Sequence, residues 1–199
     1  MSQLILSAIF SRPPDRGDAT RAAEISERVA SRLVGRPSVL KIRGGAIDEC
    51  QEYLFGPFGS YFATIPWPWR KSRGAAINVA DARVIVISER CGDWLAPPLP
   101  RDFLDICGDL RSEKAIVLYS DDSVGSGKYL LWEEGKIVRT YGSRDMGTRY
   151  GAAPELEDRL RLQYGDFVCA IVDEMAAPFL GVPFSQLAYE TPFDLWVPA

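Results

Sequence analysis

Residues 120–129, Ser-Asp-Asp-Ser-Val-Gly-Ser-Gly-Lys-Tyr, come nearer to a phosphate-binding loop than any other stretch of this chain. Such a loop needs glycines whose backbone N–H groups close on an anion, a lysine behind them, a hydroxyl residue for magnesium and a helix that starts there. Counting back from Lys128, the first required glycine is Asp122, and the hydroxyl position is Tyr129. Asp121 and Asp122 also put negative charge where the anion would sit. Beyond Lys128 the residues are β-branched and aromatic on both sides of Glu134-Gly135. That pattern predicts a hairpin near 129–141 with its turn at this dipeptide, and residues 120–128 as an exposed connection into it.

Three further groups could carry chemistry. Asp121, Asp122, Glu133 and Glu134 are paired carboxylates. Such pairs do acid-base work when burial separates their pKa values, whereas on exposed turns they offer an acidic surface to a basic partner. Trp67, Trp69 and Arg70 lie in a segment, 57–74, punctuated by proline and glycine. This is the composition of a recognition loop, and an aromatic beside arginine can also stack on single-stranded nucleic acid. Arg144, Asp145 and Arg149 fall between Gly142 and Gly151, where two guanidinium groups could hold a carboxylate or a phosphate.

Two absences narrow the chemistry. The 199 residues include no histidine, which removes Ser-His and Cys-His nucleophiles and the commonest metal ligand. The four cysteines, Cys50, Cys91, Cys107 and Cys169, are widely spaced with no Cys-x-x-Cys pair, so neither a zinc site nor a redox motif is indicated. Cys107 and Cys169 sit on apolar helical faces and are expected to be buried, reduced thiols. No cofactor and no metal are expected. The formal charge of −4, from 23 basic and 27 acidic residues, argues against nucleic acid and anionic membrane as partners and makes a basic protein surface the easier fit. The N-terminal residues lack the basic and small-residue flanks of a signal peptide, and no apolar run spans a bilayer, so a cytoplasmic location is expected.

The elements that must position these residues alternate between strand and helix. Residues 4–10 read as a strand, 19–34 as a helix with Ala22, Ile25, Val29 and Leu33 on one face, and 38–43 as a strand, which together make an N-terminal β-α-β unit. Asp18 fits the helix N-cap and Gly35 its stop. A short helix is expected at 46–55, ending at Gly56-Pro57. The runs 83–88 and 114–120 are apolar without alternation, as expected of central strands covered on both faces. Between them, Phe103, Ile106, Cys107 and Leu110 share a helical face. Leu156, Leu160, Tyr164, Phe167, Ile171 and Met175 predict one long helix over 154–177, with Pro154 opening it. The tail, 181–199, reads as an irregular strap. The sum is a single α/β or α+β domain over 1–199 with a mixed sheet.

A domain of this kind, acidic and without a cofactor, with a hairpin and a long C-terminal helix, is similar in outline to the immunity proteins that neutralise bacterial toxins. That resemblance implies function by binding another protein and blocking its active cleft. The sequence alone also leaves open a histidine-independent enzyme, or a small-ligand-binding protein, working through the loops at 121–134 and 141–149.

Overall fold

The computed structural model describes residues 4–13, 19–34, 39–45, 50, 54, 74–80, 82–121, 125–143, 149–187 and 191–199. Among these described residues eight strands form one sheet: β1 (Leu4–Ser11), β2 (Val39–Gly45), β3 (Ala75–Ala80), β4 (Arg83–Ile87), β5 (Lys114–Asp121), β6 (Ser126–Glu133), β7 (Lys136–Gly142) and β8 (Phe193–Pro198). Their spatial order is β2-β8-β3-β4-β1-β5-β6-β7. Every neighbouring pair is antiparallel, which corrects the expected mixed sheet. The β-α-β unit exists in chain order, with α1 (Ala19–Val34) between β1 and β2. Those two strands point the same way but are not neighbours, because β4, β3 and β8 separate them. No parallel pair arises from the crossover.

The two unalternating apolar runs, β4 and β5, flank β1 at the sheet's centre. Successive side chains of a strand point to opposite faces, and here both faces are covered. Leu6, Ala8, Phe10, Val84, Val86 and Val117 pack on one side with α1, α2 (Arg90–Asp93) and α3 (Arg101–Leu110). Ile9, Ile85, Ile87, Ile116 and Leu118 pack on the other under α4 (Glu155–Tyr164), α5 (Val168–Glu174) and α6 (Ala177–Leu180). The result is helix, sheet, helix in three layers. The apolar face expected for α3 is fully buried. Within the first layer the Phe103 ring lies 5.5 Å from Phe10 in a tilted contact, and 5.3 Å from Trp94 and 5.9 Å from Trp132 in edge-on ones, centroid to centroid, so one helix residue ties β1, the end of α2 and β6 together.

The chain departs from expectation in three further ways. The long helix over 154–177 is broken into α4, α5 and α6. Gly165 ends α4 at φ 60 and ψ −124, a backbone conformation open to glycine and costly for residues with a Cβ. The break shifts the helical phase, so Phe167 is exposed while Val168, Cys169, Ile171 and Val172 are buried. The tail is no irregular strap over its last residues: β8 is an internal strand between β2 and β3. Pro192 precedes it and Pro198 is its last residue, so the prolines bound the strand rather than interrupt it. Phe193 and Leu195 enter one core layer, and Trp196 enters the other, where its Nε1 donates to Ser26 Oγ at 2.8 Å. Finally, of the expected exposed connection over 120–128, the described residues are strand at Ser120, Asp121 and Ser126 to Lys128, with residues 122–124 outside the described ones. β5 runs to Asp121, β6 starts at Ser126, and Ser120 and Gly127 are buried. The hairpin of β6 and β7 turns at Glu134 and Gly135, whose φ values of 47 and 88 suit a two-residue turn between twisted strands. Asp18, Gly35 and all but Cys50 and Leu54 of the expected 46–55 helix lie outside the described residues.

All four cysteines are buried thiols. Burial pushes the Cys107 thiol up to about 12 and Cys91 above its ordinary range, which suppresses the reactive thiolate. Two outcomes are expected. Native protein at pH 8 should not react with a disulfide reagent until unfolded; rapid native-state labelling would show that these thiols are accessible. Phe103→Ala should lower unfolding stability by about 3–5 kcal/mol, read as a lower urea midpoint at unchanged slope.

Candidate functional site

The Gly-Ser-Gly-Lys segment holds no anion site. Lys128 sits within β6, opposite Tyr119 and Gly142, and no helix starts there. Its neighbour Gly127 is glycine for a packing reason: a Cβ would meet Val172 Cγ2 at 3.0 Å and Cys169 Cα at 3.3 Å. α5 lies so close to the sheet here that a side chain would require Val172 and the Cys169 backbone to give way by a few tenths of an ångström.

The expected acidic surface is divided. Asp121 pairs with Ser126 at one end of the β5–β6 ladder, and Glu133 pairs with Lys114 at the other. Eight residues of strand separate the ends by about 24 Å. Glu133 is moreover 3.2 Å from Lys114 Nζ, and Glu134 is an exposed turn residue beside Lys136. The acids of α3 are likewise matched, Asp102 by Arg90 and Asp105 and Asp109 by Arg32. Trp67, Trp69, Arg70, Asp122, Arg144 and Asp145 lie outside the described residues.

Chemistry instead converges where β6, β7 and α4 meet. Glu157, in the first turn of α4, is fully buried, and Arg139 of β7 is nearly so. Arg139 Nε donates to Glu157 Oε2 at 2.7 Å and Nη2 to Oε1 at 2.5 Å, while the Tyr129 hydroxyl of β6 also donates to Oε2. A planar fork on a carboxylate is the geometry that makes arginine irreplaceable by lysine. Burial, followed by the hydrogen bond to and the charge of Glu157, raises the Tyr129 phenol well above its ordinary range, so it remains a donor. The bond to Glu157 leads the causes that raise Arg139. With both oxygens taken up by three donors, this carboxylate is a structural tie and no general base. The remaining Arg139 nitrogen, Nη1, donates to the carbonyls of Tyr150, at 3.3 Å, and Gly151. Gly151 has φ 77, and a Cβ there would collide with the Val138 carbonyl.

Above this tie opens a cleft of about 440 Å³, lined by Arg149, Asp158, Arg161, Leu162, Gly165 and Asp166. Two of its arginines approach the buried Tyr141 ring, whose centroid is 4.5 Å from the Arg149 guanidinium carbon and 5.9 Å from that of Arg161, with Arg139 of the tie at 5.6 Å. Arg149, one of the three expected ligand-binding residues, is therefore in the cleft, held over an aromatic face. Arg161 pairs with Asp158 at 3.6 Å. Leu162 of the lining is exposed by 90%, and Tyr150 and Phe167, each next in sequence to a lining residue, by 61 and 53%. An open cleft with balanced charge and apolar side chains in solvent suits a macromolecular surface better than an enclosed small molecule. Among the described residues no group of three potential ligands gathers to hold a metal ion, and no helix is long and apolar enough to cross a membrane.

The sequence reading missed Glu157 and Arg139, although a signal was present. Glu157, Leu160 and Tyr164 recur at helical spacing, and Arg139 alternates with Tyr141 on one strand face. A charge at each of two inward positions is the mark of a buried pair. Comparison with protein-family models, with curated proteins and with solved structures finds no match.

Removing one partner should strand a buried charge. Arg139→Met or Glu157→Gln is expected to cost about 3–5 kcal/mol, and the double change Arg139→Met with Glu157→Leu to recover most of it. Tyr129→Phe should cost about 1–2 kcal/mol. Urea unfolding of the four variants checks the order, and equal costs for the single and double changes would contradict it.

Proposed function

We propose that this chain is a cofactor-free binding protein that acts by covering a surface of another protein, in the manner of an immunity protein on its toxin, and that it catalyses no reaction. The observation that carries the reading is the trio of large apolar side chains, Tyr150, Leu162 and Phe167, left in solvent around a cleft lined by two arginines and two aspartates. Scattered apolar residues on a surface are ordinary. Aromatic and arginine side chains gathered at one cleft are the composition of an interface centre. The contact face proposed here is the α4–α5 corner with residues 149–151. It replaces the hairpin carboxylates, which the ladder holds at opposite ends. The net charge of −4 favours association with a partner that is basic overall.

The test uses the full chain as bait in its native host, followed by reconstitution with whichever protein is captured in stoichiometric amount. Leu162→Glu and Phe167→Glu change exposed side chains and should leave folding intact. Each is expected to weaken the reconstituted complex by about tenfold or more. Undiminished affinity in both variants would remove this face from the account, and turnover of a small substrate by the purified chain would overturn the class of function.

A further inference from the structure

We infer that the α4–α5 face is self-complementary and pairs with a second copy of this chain across a two-fold axis, an inference that shares with the proposed function only the premise that this face binds protein. The argument starts from two charges. Arg149 and Asp166 both line the cleft, yet among the described residues neither makes an ion pair. Arg149 lies instead over the Tyr141 ring, which fixes its direction. Asp166 follows Gly165 at the end of α4, exposed and beside Phe167. The lining as a whole holds two cations and two anions, so it does not select a partner of one sign.

A surface with equal and opposite charges beside exposed apolar side chains meets the requirement of an isologous contact, in which residue i of one copy meets residue j of the other and the reverse. The two-fold gives each unpaired charge its counterpart: Arg149 of one copy faces Asp166 of the other, twice per dimer. Leu162, the most exposed of the large apolar side chains, then lies between the two charge pairs and is removed from water along with Phe167. A heterologous partner that uses this face must displace the second copy, so the dimer is the partner-free form.

Sedimentation velocity on the full chain between about 1 and 300 µM tests this. The native protein is expected to pass reversibly from monomer to dimer. Arg149→Asp and Asp166→Arg each place like charges opposite one another and should weaken self-association about tenfold or more. Mixing the two variants in equal amounts recreates both pairs and should restore dimer to the native level, which also shows that both variants are folded. A monomer at every concentration overturns the inference while leaving the proposed heterologous binding intact. A dimer indifferent to either reversal, or a mixture that fails to restore it, overturns the pairing. Failure to capture any partner with the dimer preserved counts against the proposed function alone.

Discussion

A charge that cannot reach water has to be answered within the protein, and Glu157 is answered three times, twice by Arg139 and once by Tyr129. Taking two ions out of solvent is expensive, and their attraction offsets that cost only when geometry is good and the remaining polar atoms are satisfied. Arg139 meets the condition by spending its last nitrogen on the carbonyls of Tyr150 and Gly151. The consequence is spatial. One guanidinium group joins the first turn of α4 to the 149–151 segment, and both α4 and Arg149 line the cleft. The tie lies beneath the surface it supports, so the proposed interface depends on a contact that no partner touches.

The tie is possible because of how the sheet is built. β6 and β7 are the last two strands of an antiparallel meander that starts at β5, and their inward residues Tyr129 and Tyr141 face the helical layer of α4 to α6. Along α5, the absence of a side chain on Gly127 lets the helix rest on the sheet at Cys169 and Val172. Gly165 then frees the chain between α4 and α5 to turn, which brings Asp166 to the cleft lining and leaves Phe167 in solvent beside it. Two glycines and one buried ion pair thus set the shape of the face.

What the sequence made legible was local. The runs at 83–88 and 114–120 were apolar without alternation because two helical layers cover them, and the stripe through Phe103, Ile106, Cys107 and Leu110 announced which side of α3 is buried. Glu134-Gly135 marked its own turn through the conformations those residues accept. What stayed hidden was whatever depends on partners distant in the chain. β8 pairs with β2 and β3 from more than a hundred residues away, and nothing within 193–198 says which strands it joins. Periodicity carried through 154–177 without a gap, since the apolar spacing continues past Gly165 even though the helix does not. The carboxylates near the hairpin look like a cluster in the linear text because an exposed connection is expected over 120–128, whereas β6 begins at Ser126 and the ladder sets Asp121 and Glu133 at opposite ends. Glu157 is hidden for a different reason: an acidic residue in the first turn of a helix is already accounted for by the positive end of the helix dipole.

Hydrogen exchange of backbone amides, compared between the native chain and Glu157→Gln under native conditions, tests the claim that the buried pair holds the cleft walls. Amides of α4 and of Tyr150, whose N–H bonds the Thr140 carbonyl, are predicted to exchange through a new local opening and so to accelerate more than those of β1, β4 and β5, which accelerate only by the loss of global stability. A variant in which the cleft walls exchange as slowly as in the native chain, or accelerate no more than β1, β4 and β5, would contradict the account.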